Sequence, residues 1–260
     1  MSLSTINLNK AYIVSIERSA LQPKRRDNLK LLKENLTELF GTEPEIFGVD
    51  GKKLSEVEIK KLIREKKILS LTHPYKKYKF DKENDLNSNL TQLVELEINT
   101  YGKRNMTAGE VGCFLSHMGI LQKILNNKYE RSLILEDDAK FLYDCEKFKI
   151  AINNLLLEVP DDFYMISIFN HRDNIGNKNY NKFILKNRIG NYLHRIHGET
   201  FGTVGYIISL KGASEILKSL YPLTVPYDYG LSQLNYNRKK GYVSLVPLVD
   251  ACLYEETTIR

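Results

Sequence analysis

The chain has 260 residues, a net charge of +6 and an isoelectric point near 9.0, enough for one large α/β domain with a mild preference for anionic partners such as a nucleotide. Cys113, Cys145 and Cys252 lie far apart with no CxxC pair, which argues against a disulfide framework or a thiolate zinc site and fits a reducing compartment. No leader pattern and no bilayer-length apolar run occurs, so a soluble, cytoplasmic chain is expected, with peripheral contact at a membrane surface left open.

Ala11 to Ile16 is apolar, β-branched and aromatic, which predicts a first strand with Glu17-Arg18-Ser19 as its exit loop. Pro23 marks a helix start, and Leu29, Leu32, Leu36 and Leu39 recur at spacings of three and four until Gly41. Lys24, Arg25 and Arg26 fill the first turn, where cations oppose the helix dipole. An anionic ligand would offset that cost, and a solvated basic face is the commoner cause. Glu45 to Gly51 predicts a short second strand ending in an Asp-Gly turn. Asp50 then stands at a sheet edge, either to accept a hydrogen bond from a ribose or base or as an ordinary turn aspartate.

The pattern is weakest from Lys52 to Lys103. Ser55 with Glu58 forms a capping box for a short helix, and a Lys-rich stretch interleaved with Tyr75, Tyr78 and Phe80 follows. A basic excursion is expected, either solvated or set against a membrane surface or an acceptor. Thr107-Ala108-Gly109-Glu110 is a second capping box, opening a helix with Val111, Leu115, Met118 and Leu125 on one stripe. Gly109 and Gly112 lower helix propensity in its first turn, so a close neighbour is expected there. Ser116 and His117 follow one turn on.

Leu133-Ile134-Leu135 runs straight into Glu136-Asp137-Asp138, which reads as a buried strand emerging at the carboxyl edge of a sheet, where open α/β folds place their ligands. Alternation sends Glu136 and Asp138 to one side and Asp137 to the other. Two carboxylates on one strand end can hold a divalent metal; a solvated acidic turn is the other reading of these residues alone. Asp144 caps a helix that Pro160 closes, and Phe163 to Phe169 reads as a buried strand. Phe183 to Leu185 and Tyr192 to His197 read as an antiparallel pair. Gly202 to Ser209 reads as a strand whose glycines mark a close approach. Lys211 to Leu220 is a helix, Pro226 to Leu231 a rigid turn presenting Asp228, and Val243 to Val249 a last strand.

Taken together, Tyr12 to Arg18 with Val49-Asp50-Gly51, Gly109 to His117 with Leu133 to Asp138, Gly202 to Ala213, and Pro226 to Leu231 resemble glycosyltransferase family 25, the lipooligosaccharide biosynthesis transferases. The resemblance implies a single-domain GT-A-like, Rossmann-like α/β fold, a mixed sheet flanked by helices, over 1–260 with a basic excursion around 52–103. It implies an inverting hexosyltransferase that uses UDP-galactose or UDP-glucose with Mn²⁺ or Mg²⁺ and forms a β-linkage on a lipooligosaccharide or LPS acceptor. Asp138, helped by Glu136 or Asp137, then stands at the metal motif. Asp228 matches the aspartate of the family's Pro-x-Asp stretch and is the candidate general base, with Glu199 second. Arg18, Asp50, Ser116 and His117 would line the donor pocket.

No histidine follows His197, so the C-terminal histidine that the resemblance to GT-A enzymes implies for the metal shell is absent, and Glu255, Glu256 or water would take its place. The implied partners are a nucleotide-sugar donor and a glycolipid acceptor at the inner membrane surface, with no nucleic acid. A metal-dependent phosphoesterase would also use a strand-end acidic cluster, but it would call for denser carboxylates and histidines. A nucleic-acid-binding module would explain the basic, Tyr-rich stretch while leaving Glu136 to Asp138 without a use.

Overall fold

The computed structural model describes residues 5–17, 21–67, 72–73, 104–105, 107–170, 178–196, 202–223 and 226–252. The apolar run at the start forms β1 (Lys10–Val14), and helix α1 (Pro23–Phe40) spans the predicted interval. Gly41, at φ 67°, closes α1 by returning its N–H to the Thr37 carbonyl. Strand β2 (Glu45–Phe47), a 3₁₀ turn (Gly51–Lys53) and α2 (Glu56–Arg64) follow, the last opened by the complete Ser55/Glu58 capping box. The short strands β3 (Thr72–His73) and β4 (Arg104–Asn105) pair with each other; the aromatic and basic stretch between them lies outside the described residues.

The second capping box also forms in full, at the head of α3 (Ala108–Asn127), and leads into β5 (Arg131–Glu136). Next come β6 (Ala139–Phe141), α4 (Cys145–Glu158), β7 (Met165–Ser167), α5 (Lys178–Asn187), β8 (Arg188–Ile189) and β9 (Leu193–Arg195). The chain continues through β10 (Gly205–Ser209), α6 (Leu210–Leu220), α7 (Tyr227–Arg238), β11 (Gly241–Ser244) and β12 (Val249–Ala251).

Three local expectations are corrected. Phe183 to Leu185 is helical, part of α5, and the antiparallel pair is β8 with β9; a short apolar run does not by itself separate helix from strand. Pro226 to Leu231 is the start of α7 and not an isolated turn, because proline is tolerated where a helix begins. The expected last strand divides at Pro247, which has no N–H for a ladder. Its first part is β11 in the main sheet, and its remainder continues as β12 against β6.

The main sheet runs β2-β1-β5-β10-β7-β11-β9-β8, with β2, β1 and β5 mutually parallel and β10 antiparallel to both neighbours. Alternation sorts its side chains. Ala11, Ile13, Leu133, Leu135 and Ile207 pack on α1 and α4 through Leu32, Leu36, Phe148 and Ile152. Tyr12, Ile134, Tyr206 and Ile208 pack on α3, α6 and α7 through Phe114, Met118, Ile216 and Leu231. The result is the expected mixed sheet with helices on both faces. No described helix is long and apolar enough to cross a membrane.

Small residues fix how the chain after β2 meets α3. A Cβ on Gly51 would lie 1.7 Å from the Ala108 carbonyl oxygen, and one on Gly112 would lie 2.5 Å from the Val49 carbonyl oxygen. This close backbone approach is the neighbour that the glycine-rich first turn of α3 called for. Ser116 reinforces it, accepting from Val49 N–H at 2.8 Å and donating to the Gly112 carbonyl at 2.6 Å. Gly51→Ala should therefore destabilise the protein by about 1–3 kcal/mol in urea denaturation, since only backbone can give way. A loss within experimental error would show that the two segments separate freely.

Candidate active site

Strand β5 ends beside β1, with Glu136 opposite Val14, and the chain turns at once through Asp137 and Asp138 into β6. The same alternation that sends Leu133 and Leu135 towards α1 sends Asp137 there too. Its carboxylate accepts from Arg25 Nη1 in a buried ion pair and from Ser15 Oγ at 2.8 Å. Asn28 Nδ2 donates to the carbonyls of Asp137 and Ala139, at 2.8 Å each. Glu136 points to the opposite face. Its Oε1 accepts from Thr203 Oγ1 and lies 3.4 Å from His117 Nε2. Asp138 sits between the two, with Oδ2 3.7 Å from Arg25 Nη2 and a buried Oδ1 that has no hydrogen-bond partner.

Exposure divides the three acids. The Asp137 side chain is 6% exposed, whereas Glu136 and Asp138 retain 18% and 15%. Asp137 already satisfies its charge within the fold, and the other two remain available to a ligand. Burial raises the Glu136 carboxyl, but His117 and the Thr203 hydrogen bond outweigh it and hold the group below its ordinary range. Burial, then the negative charge of Glu136, pushes Asp138 up to about 7, with Arg25 pulling partly the other way. An orphaned carboxylate oxygen beside a second carboxylate fits an oxygen-liganded divalent ion, which would reverse that electrostatic balance.

A cavity of about 150 Å³ opens beside this edge, lined by Glu110, Cys113, Glu136, Gly202, Thr203, Val204, Pro226, Tyr227 and Asp228. It brings Asp228, in the first turn of α7, into one space with Glu136. The Tyr229 N–H donates to Asp228 Oδ1 at 2.8 Å. Burial is the main cause that raises the Asp228 carboxyl, and the negative charges of Glu136 and Glu110 add to it. Behind the cavity, His117 is fully buried, stacks on Tyr227 with ring centroids 4.5 Å apart, and shares a 2.8 Å hydrogen bond between Nδ1 and the Tyr206 hydroxyl.

Of the residues expected at the site, Glu136, Asp138, His117 and Asp228 gather around this edge and cavity. Asp137 stands beside them, turned into the ion pair with Arg25. Ser116 holds the Val49 loop to α3 with both functions of its hydroxyl, and Asp50 Oδ1 caps the 3₁₀ turn by accepting from Lys52 N–H at 3.0 Å. Arg18, Glu199, Glu255 and Glu256 lie outside the described residues. Sequence reasoning missed Arg25 as the partner of Asp137, along with Thr203, Tyr206 and Tyr227. For Arg25 a signal existed, in the uncompensated basic first turn of α1; for the others local pattern held none.

Human procollagen galactosyltransferase 2 is 27% identical over half of this chain, and a glycosyltransferase 25 family member of Aedes aegypti is 28% identical over 92% of it. The chain spans only 21% and 33% of those proteins' lengths. Among solved structures, apo mouse xyloside xylosyltransferase 1 aligns with a TM-score of 0.39 at 10% identity, covering 90% of this chain and 84% of that one. With β1, the carboxylate edge and the start of α7 all inside residues 8–231, the stretch that matches the model of glycosyltransferase family 25 (LPS biosynthesis protein), the chain belongs to that family.

Proposed function

We propose that the protein is an inverting, metal-dependent transferase that moves a hexose from a UDP-sugar to a lipooligosaccharide or LPS oligosaccharide, forming a β-linkage. The observation that carries this reading is the cavity shared by Glu136 and Asp228, carboxylates delivered by separate elements. The names of the relatives favour galactose as the sugar, and the family description favours an LPS-type acceptor.

In this reading Asp228 takes the proton from the acceptor hydroxyl as its oxygen bonds to the anomeric carbon. The bond from that carbon to the UDP oxygen breaks, and its electron pair leaves with UDP. The raised affinity of Asp228 for a proton suits it to this role. Asp138 with Glu136 would hold Mn²⁺ or Mg²⁺, which when bound supplies positive charge to offset that building on the leaving diphosphate. Thr203 fixes one oxygen of Glu136, while the Asp137–Arg25 pair anchors the turn that carries Asp138.

The test is thermal unfolding with UDP, with and without Mn²⁺. UDP at about 100 times its Kd should raise Tm on the order of 5–10 °C in the presence of the metal and clearly less without it. Asp138→Asn should abolish the metal-dependent increment. An absence of any metal-dependent response to UDP, UDP-galactose or UDP-glucose would overturn the reading.

A further inference from the structure

One group of side chains at the cavity, Cys113 and His117 beside Glu136, is used by the transfer reading only through Glu136. Cys113 and His117 stand four residues apart on α3 and therefore on one helix face, directed at the end of β5. One ligand atom from each of Cys113, His117 and Glu136 can be chosen so that all lie within 4.8 Å of one another. We infer that these three residues form a binding site for a zinc-class divalent cation, which has Glu136 in common with the oxygen-only edge at Asp138 and adds a thiolate and an imidazole to it.

The donor chemistry selects the ion. A thiolate, an imidazole and one carboxylate suit zinc or cobalt, whereas magnesium and manganese favour all-oxygen ligands. Ligands bound at zinc distances in a tetrahedral site stand about 3.3–3.8 Å apart, a separation that His117 Nε2 and Glu136 Oε1 already have at 3.4 Å, so the sulfur has to close by no more than about 1–1.5 Å. Three protein ligands with one open position is the arrangement of a reactive rather than a purely structural zinc site. Cys113 and Glu136 both line the cavity, so a fourth ligand would reach such an ion from there.

His117 is prepared for such a role. Its ring is fixed by the stack on Tyr227, and when Nδ1–H donates to the Tyr206 hydroxyl, Nε2 presents its lone pair on the Glu136 side. The Tyr206 hydroxyl can then donate its hydrogen bond to the Tyr227 hydroxyl oxygen 3.2 Å away, which leaves the chain of donors consistent. Cys113 makes no hydrogen bond among the described residues, so its sulfur is not committed elsewhere. Glu110 and Asp228 line the cavity too, no Lys or Arg is among its described lining residues, and the Arg25 guanidinium that acts on Glu136 is itself paired with Asp137, so negative charge predominates around the group. On binding, the Cys113 thiol releases its proton to solvent and the sulfur bonds to the ion.

The experiment reads metal directly and does not depend on transfer. The full chain is stripped with a chelator and titrated anaerobically with Co²⁺. One equivalent should produce a thiolate-to-cobalt charge-transfer band in the near ultraviolet, and Zn²⁺ should displace it. Cys113→Ser should abolish the band and weaken Zn²⁺ binding by more than about 100-fold, because even outer-shell partners cost about 10–100-fold. Cys145→Ser, Cys252→Ser and Asp138→Asn should retain the band, and circular dichroism should show every variant folded. Absence of the band in the parent chain, its persistence in folded Cys113→Ser, or its loss in folded Asp138→Asn would each overturn the inference. A chain that binds Co²⁺ in this way without responding to UDP would retain the metal site and lose only the transfer reading.

Discussion

Replacing Asp228 with asparagine should lower the rate of sugar transfer by about 10²- to 10⁴-fold while leaving UDP affinity unchanged. The substitution keeps the volume of the side chain and an oxygen able to accept the Tyr229 N–H, so the first turn of α7 should hold its place. What it removes is the ability to take a proton. Asp228 lines the cavity, and it belongs to a different element from the carboxylate of Glu136 at the end of β5. Turnover measured alongside calorimetric UDP binding separates the outcomes. A parallel loss of UDP binding would make Asp228 part of the donor pocket or of the scaffold and would return the base to another group.

Replacing Arg25 with methionine should destabilise the fold by about 3–5 kcal/mol. Arg25 is 4% exposed and its guanidinium faces both Asp137 and Asp138, so its removal leaves a buried carboxylate without its compensating charge. Ser15 and Asn28 would remain as neutral partners of the same turn, which does not replace the lost cation. Urea denaturation of the single variant, and of the double variant Arg25→Met with Asp137→Leu, gives the test. The double variant should regain a large part of the loss, since an apolar pair avoids the uncompensated charge. A single-variant loss below about 1 kcal/mol would show that Asp137 does not depend on Arg25.

The parts of this site that lie along a single stretch were readable beforehand, and the parts that join distant stretches were not. The capping box at Thr107 and Glu110 places α3, the apolar run places β5, and a two-residue period separates Glu136 from Asp137 before any contact is known. The same period does not hold cleanly for Asp138, because the strand has ended and the chain is already turning into β6. Arg25 and Asp137 are 112 residues apart, so a basic helix start was open to an anion or to a solvated face, the commoner case, and named no partner. Thr203 is positioned by the antiparallel pairing of β10, a relation carried by the whole sheet. Helix α7 was hidden by Gly230 and a run of tyrosine and asparagine that carries little helical periodicity, although Pro226 marks its start. Cys113 was judged by its distance from other cysteines, which has no bearing on a histidine one turn along the same helix.

Formal charge at the end of β5 has a consequence for the order in which ligands arrive. Among the described residues, Arg25 pairs with Asp137 and Asp138 while Glu136 lies on the opposite face beside His117, so the three acids at this turn, when ionised, outnumber that guanidinium by two. On the proposed reading, a nucleotide arriving first would bring a diphosphate against those charges, whereas a divalent ion arriving first cancels them and still has open positions for phosphate oxygens. Electrostatics therefore favours loading the ion before the nucleotide. On that reading, with Arg25 engaged by Asp137, the ion rather than the guanidinium would supply the attraction for the diphosphate at this turn.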